Sequence, residues 1–141
     1  MRIPVFLFFV LIAFSRLALA QNDLPTIGSF DDIKGLSKTY VVADNESRKA
    51  ILKELKKIPT ITLVNTPDDA EFFLEYKTIS RNEGAQIGIF KITSETGQLD
   101  VYLHRDGKKV VAWSESTTGG GFKGDTARRL IEKFVKLIKK K

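Results

Sequence analysis

The sequence predicts a two-layer α/β (α+β) sandwich, with a mixed, mainly antiparallel sheet of about six strands and two helices on one face. Three observations lead there. Between residues 39 and 64 a strand, an amphipathic helix and a second strand follow one another, a βαβ unit whose crossover is right-handed and whose strands share a sheet. From residue 71 to 116 apolar and polar side chains alternate in short runs, the signature of antiparallel strands with one buried face. Ala127, Leu130, Ile131, Phe134, Val135 and Ile138 recur at helical spacing, which gives the last segment a single apolar stripe.

Residues 21–35, with Pro25, Gly28, Asp31, Asp32 and Gly35, read as a flexible leader to a single domain over 36–141, with Phe30 and Ile33 as its docking points. Residues 39–42 form the first strand. Asp44-Asn45 caps a helix that runs to about Ile58. Ile51, Leu52, Leu55 and Ile58 make its inner stripe, Arg48, Lys49, Lys53, Lys56 and Lys57 face outward, and Pro59 stops it. Residues 60–64 are the second strand and 65–69 a turn. In the third strand, 71–79, Phe72, Leu74 and Tyr76 point one way and Phe73, Glu75 and Lys77 the other. Residues 81–84 read as a loop, and strands follow at 87–93, 98–104 and 109–116, joined at 94–97 and at Asp106-Gly107. That dipeptide suits a type I′ hairpin turn, which needs positive φ at both positions. A glycine-rich bridge over 117–124 leads to the last helix, capped by Asp125 or Thr126.

A two-residue turn at Asp106-Gly107 sets Leu103 opposite Val110, Val101 opposite Ala112 and Leu99 opposite Ser114. On the other face it sets Tyr102 opposite Val111 and Asp100 opposite Trp113. Carried across 94–97, the same register pairs Phe90 with Val101 and Ile92 with Leu99, and places Ile89 beside Tyr102 and Lys91 beside Asp100. Phe90, Ile92, Leu99, Val101, Leu103, Val110 and Ala112 then lie under the helices. The opposite face carries a candidate binding surface of Ile89, Lys91, Asp100, Tyr102, Val111 and Trp113, with Ile87, His104, Lys109 and Phe73 around it. Contiguous exposed apolar area marks contact sites, and Trp and Tyr are favoured at binding hot spots. The competing readings are that the leader covers this face, or that the aromatics only stabilise the sheet.

Residues 1–20 carry an export pattern. Arg2 is the basic start, an apolar run extends from Pro4 to Ala13, and Ala18-Leu19-Ala20 is a small-x-small cleavage site. Cleavage after Ala20 places the mature chain outside the cytoplasm, periplasmic or secreted. The alternative is an uncleaved anchor, but Ser15 and Arg16 interrupt the run before the about 20 residues a span needs. Cleavage leaves 141 − 20 = 121 residues and, since Arg2 and Arg16 go with no acid, lowers the net charge from +6 to +4. With no cysteine, disulfides, thiol catalysis and Cys-ligated zinc are excluded.

No catalytic set stands out, and the chain reads as a non-enzyme without cofactor or metal. Residues 119–126 invite comparison with a phosphate-binding P-loop, but Asp125 stands where that motif needs Lys. His104 is the single histidine, and an exported hydrolase would need it to meet a serine and an acid in one pocket. Asp68 and Asp69 read as turn residues, and Glu71 and Glu75 as a solvent-facing strand pair. Asn45-Glu46-Ser47 matches a glycosylation sequon but serves as a helix start. No nucleic-acid recognition motif is present. The basic helix residues Arg128, Arg129, Lys133 and Lys136 form a second candidate site, for an anionic lipid or polymer. The competing reading is a solvated helix face with cations favourably near its C-terminus.

The stretch 39–42, the helix from Glu46, and Asp69-Ala70-Glu71-Phe72-Phe73-Leu74-Glu75-Tyr76 resemble a recurring pattern in exported bacterial envelope proteins. These share an α/β sandwich with the amino-terminal domain of TolB and related periplasmic accessory proteins. The resemblance spans residues 36–140. It implies a non-catalytic accessory role with an unknown protein or envelope component as partner, and it transfers no site residue. Many such proteins are lipoproteins, whereas this chain has no lipobox cysteine.

Overall fold

The computed structural model describes residues 24–122 and 124–140, except for the side chains at 83, 85, 87 and 90–92. The export segment at 1–20 therefore lies outside the described residues. The strands are β1 (Thr26–Ile27), β2 (Lys38–Val42), β3 (Thr62–Leu63), β4 (Phe72–Ile87), β5 (Phe90–Arg105) and β6 (Lys108–Gly120). They form one six-stranded sheet in the order β1-β6-β5-β4-β2-β3. Helix α1 (Asn45–Leu55) links β2 to β3, and α2 (Asp125–Lys139) follows β6. The inner strands β4, β5 and β6 are antiparallel, while β2 lies parallel to both β3 and β4. This is the mixed sheet with two helices that the sequence predicts.

Both helices pack onto one core with the sheet. Ile51 and Leu55 of α1 and Leu130, Ile131 and Phe134 of α2 are buried against Val41, Phe72, Leu74, Leu99 and Val101. The Asp44 carboxylate accepts from the N–H groups of Glu46 and Ser47 at 3.1 Å each, which satisfies two free donors of α1. The α-helix ends at Leu55, and Ile58 closes a final turn by donating to the Leu55 carbonyl at 2.9 Å. At α2 the cap is Gly124, not Asp125 or Thr126. Its φ is +89°, and a Cβ there would lie 3.2 Å from the Glu46 carbonyl oxygen of α1. Glycine therefore lets the two helix starts approach.

The strand count agrees with the sequence, but the strands are partly different ones. Residues 81–84 are not a loop and 94–97 are not a turn. β4 and β5 are 16 residues each, and they form one long hairpin that turns at Gly88 (φ +63°) and Ile89. Phe90 pairs with Ile87, so it never reaches Val101, which pairs with Leu74. The side chains of Phe90 and Ile92 lie outside the described residues. Gly97 looks like a turn residue but is extended, and a Cβ on it would sit 2.3 Å from the Tyr76 hydroxyl. The glycine is there so that the buried tyrosine ring can lie across it.

The sixth strand comes from the segment read as a leader. Thr26 and Ile27 run parallel to Val110 and Val111. Ser29 then starts a 3-10 turn over Phe30–Ile33. Ile33 is buried, and the Phe30 ring meets Phe134 edge-on at 6.0 Å between centroids.

The turn at Asp106 (φ +53°) and Gly107 (φ +73°) has the positive φ values the sequence demands. It pairs Arg105 with Lys108, Leu103 with Val110 and Tyr102 with Val111. There the register slips. Val101 faces Trp113, Asp100 faces Ser114 and Leu99 faces Glu115, so Ala112 is an extra residue in a β-bulge. Beyond it every side chain of β6 changes face. Trp113 turns under the helices, with its ring 5.7 Å from Phe134, and Glu115 comes within reach of Lys133 on α2. Val101 and Leu103 keep their buried positions.

Candidate functional site

The face without helices is built from alternate residues of β2, β4, β5 and β6. Phe73 and Tyr102 pair across β4 and β5, and their rings stack at 5.0 Å and 9°. His104, two residues along the same side of β5, meets Phe73 edge-on at 5.2 Å and Tyr102 at 5.7 Å. Tyr40 of β2, the neighbour of Phe73 in register, meets it at 6.4 Å. Offset and edge-on arrangements of this kind are favoured by the ring quadrupoles.

This cluster is not bare apolar surface. Tyr102 is only 9% and Phe73 only 8% exposed. The Lys109 ammonium lies 3.9 Å from the centre of the Tyr102 ring, a cation–π contact. It also donates to Glu75 at 2.9 Å, and Lys77 approaches the other oxygen of Glu75 at 3.2 Å. Burial raises the Glu75 carboxyl, but the bonds from Lys109 and Lys77 outweigh it and hold the group below the usual carboxylate range. Burial, reinforced by the nearby Glu75, pushes the Tyr102 phenol upward. Asp100 is buried beside this group and accepts from Ser114 at 2.5 Å and from Gln98 at 2.8 Å.

What remains reachable is a groove of about 490 Å³ where β2 meets the β3–β4 connection. Tyr40, Val42, Phe73, Tyr102 and His104 make its floor, and Pro67, Asp68 and Glu71 wall it. The Glu71 carboxylate accepts from the backbone N–H of Lys38 at 2.8 Å and of Ser37 at 2.6 Å, and these bonds hold it below the usual range.

The structure thus gathers only part of the predicted sheet-face set. Asp100, Tyr102 and Val111 share the face. Trp113 leaves it through the bulge. Ile89 sits at the far hairpin turn, 90% exposed, because β4 and β5 are continuous. Lys91 lies opposite Gln86 near that tip instead of beside Asp100, and its side chain is outside the described residues. Tyr40, Val42, Pro67 and Asp68 were not anticipated. The alternation Tyr40–Val42 is visible in the sequence, but its place beside Phe73 depends on sheet order.

Two of the four basic-helix residues are neutralised by acidic neighbours. Arg128 pairs with Asp125 at 3.6 Å and Glu132 at 2.9 Å, and Lys133 pairs with Glu115. Arg129 is exposed, with its guanidinium lying by Gly119. Lys136 is exposed in the last turn.

For chemistry, His104 shares its groove with Asp68 and Glu71, and no serine, threonine or cysteine lines that groove among the described residues. The Ser114–Asp100 pair lies four residues along β5 from His104, about 13 Å at the usual strand rise. Among the described residues no three His, Cys, Asp or Glu side chains are grouped to hold a metal, and no helix is long and apolar enough to cross a membrane.

No family model matches the chain, and no match is found among curated proteins. Solved structures show partial similarity. The hypothetical protein CT253 from Chlamydia trachomatis aligns at 10% identity over 74% of this chain and 96% of its own, with a TM-score of 0.48. A PelC dodecamer from Paraburkholderia phytofirmans aligns at 12% over 78% and 85%, TM-score 0.48. A minor lipoprotein from Acinetobacter baumannii aligns at 11% over 72% and 89%, TM-score 0.45.

Proposed function

We propose that the chain is an exported, non-catalytic binding module of the bacterial envelope that receives a protein partner in the groove on its helix-free face. The observation that carries this reading is the groove floor, where the rings of Tyr40 and His104 remain accessible beside the buried Phe73–Tyr102 stack. Aromatic residues in a walled depression are the usual anchors of protein contacts. The carboxylate of Asp68 at the wall suits a partner segment that brings a basic side chain beside an apolar one. Export is supported by Arg2, the apolar run and Ala18-Leu19-Ala20. The accessory role of the TolB amino-terminal type follows from the sequence resemblance and belongs to the same reading.

The test is site-specific photocrosslinking in the native envelope, with the reactive group at His104 or at Lys53, an exposed position on α1. A discrete adduct at 104 and none at 53 is expected. Equal adducts at both positions, or none at 104, reject the groove as the contact site.

A further inference from the structure

A second concavity lies at the end of the sandwich where α2 terminates. Its volume is about 400 Å³, within the size range of ligand pockets. Phe30, Ile33, Leu36, Ile61, Phe72 and Ile138 give it an apolar lining. Ile138 belongs to the last turn of α2, and Ile61 lies in the connection between α1 and β3. The mouth is cationic. Lys34 lines it, paired with Asp31 at 2.5 Å. Lys139 and Lys140 directly follow Ile138. Lys139 and Lys140 are exposed and make no ion pair among the described residues, in contrast to Arg128 and Lys133 further up α2.

We infer that this end of the molecule is a peripheral membrane site, in which the groove takes an acyl chain of an anionic lipid and the lysines hold its headgroup. Hydrocarbon suits the lining, and unpaired ammonium groups beside it suit a phosphate. A free phosphate would leave the groove unused, and an uncharged apolar peptide would leave the cations unused. One acyl contact alone binds membranes only marginally, and a basic patch is the second signal that makes attachment effective. The inference is independent of the sheet-face groove, because no residue lines both.

The test is flotation of the purified protein, as recovered after export, with vesicles of phosphatidylcholine alone or mixed with phosphatidylglycerol. Retention on the mixed vesicles only, weakening with salt, is expected. Lys139→Gln with Lys140→Gln should weaken it roughly thirtyfold, the product of about 1 kcal/mol for each surface lysine. Thr60→Glu puts a carboxylate at the groove from an exposed lining position, and it should also release the protein while its melting temperature stays that of wild type. No retention at low salt overturns the inference. Full retention of Thr60→Glu overturns the acyl site and leaves charge adhesion alone. A dimer that Thr60→Glu disperses, with no vesicle binding, assigns the groove to a second copy and overturns it equally.

Discussion

Trp113→Ala decides between the register read from alternation and the register set by the bulge. With unbroken alternation Trp113 stands on the solvent face, and surface substitutions there change stability by at most about 0.5 kcal/mol. With Ala112 as an extra residue the indole is half-buried against Phe134, itself fully buried, at 5.7 Å between rings. Removing a fully buried Trp costs about 3–5 kcal/mol. A half-buried one forfeits roughly half of that, and the ring pair adds about 0.5–1.5 kcal/mol beyond area. The expected loss is about 2–4 kcal/mol, which leaves the two registers well separated. Urea unfolding followed by far-UV circular dichroism measures it, with Trp113→Phe as the variant that keeps much of the contact. In the wild type the single tryptophan should also be partly shielded from acrylamide quenching. A Trp113→Ala variant within 0.5 kcal/mol of wild type, with an indole quenched as freely as in the unfolded chain, would refute the bulge.

Two further outcomes follow from the same packing. Gly97→Ala forces a Cβ to within 2.3 Å of the Tyr76 hydroxyl and 2.6–2.7 Å of its ring atoms, so it should cost about 1–3 kcal/mol, and Tyr76→Leu should relieve part of that in a double-mutant cycle. Additive costs would show that the ring is not the obstacle. Asp32, Asp44, Glu71 and Glu75 all have carboxyls held below the usual range. Their unfolded values near 4 are higher, so their stabilisation is complete above about pH 5 and drains as pH falls through the depressed folded values. Acid unfolding monitored at fixed urea should therefore be shallower in Glu71→Gln, which should differ from wild type at pH 7 and converge with it in acid. A constant difference at all pH values would contradict the assignment.

Much of the fold was legible because its signals are periodic. The stripe of α2, the opposed faces of Phe72-Leu74-Tyr76 and Phe73-Glu75-Lys77, and the Asp106-Gly107 turn each depend on local spacing alone. The bulge was not legible. Alternation carries only period two, and Ala112 and Trp113 are both apolar, so the sequence is equally consistent with either residue facing inward. The long hairpin was hidden for a different reason. Asn82, Gly84, Ser94 and Gly97 are turn-forming types, and their place in strands rests on partners far along the chain. Glu95 accepts from Tyr76 at 2.5 Å and pairs with Arg81, while Thr96 and Thr118 share a bond of 2.8 Å. A two-residue strand such as β1 is too short to have a period.

The same displacement moves the candidate site. In the alternating register the helix-free face has an exposed Trp–Tyr centre. In the structure its middle is closed by charge, since Lys109 spans Tyr102 and Glu75 and Asp100 is sealed by Ser114 and Gln98. Such a cover keeps a water-facing sheet from presenting contiguous apolar area. It also means that a partner gains little by binding over Tyr102, where it would have to displace an ion pair. Binding energy is available instead where the cover ends, at Tyr40, Val42 and His104, or at the opposite kind of surface, the apolar groove beside Lys139 and Lys140. The first combines aromatic rings with carboxylates and the second combines aliphatic side chains with ammonium groups. Under the two proposals the surfaces therefore select ligands of opposite charge, and, since no residue lines both grooves, the two bindings do not compete.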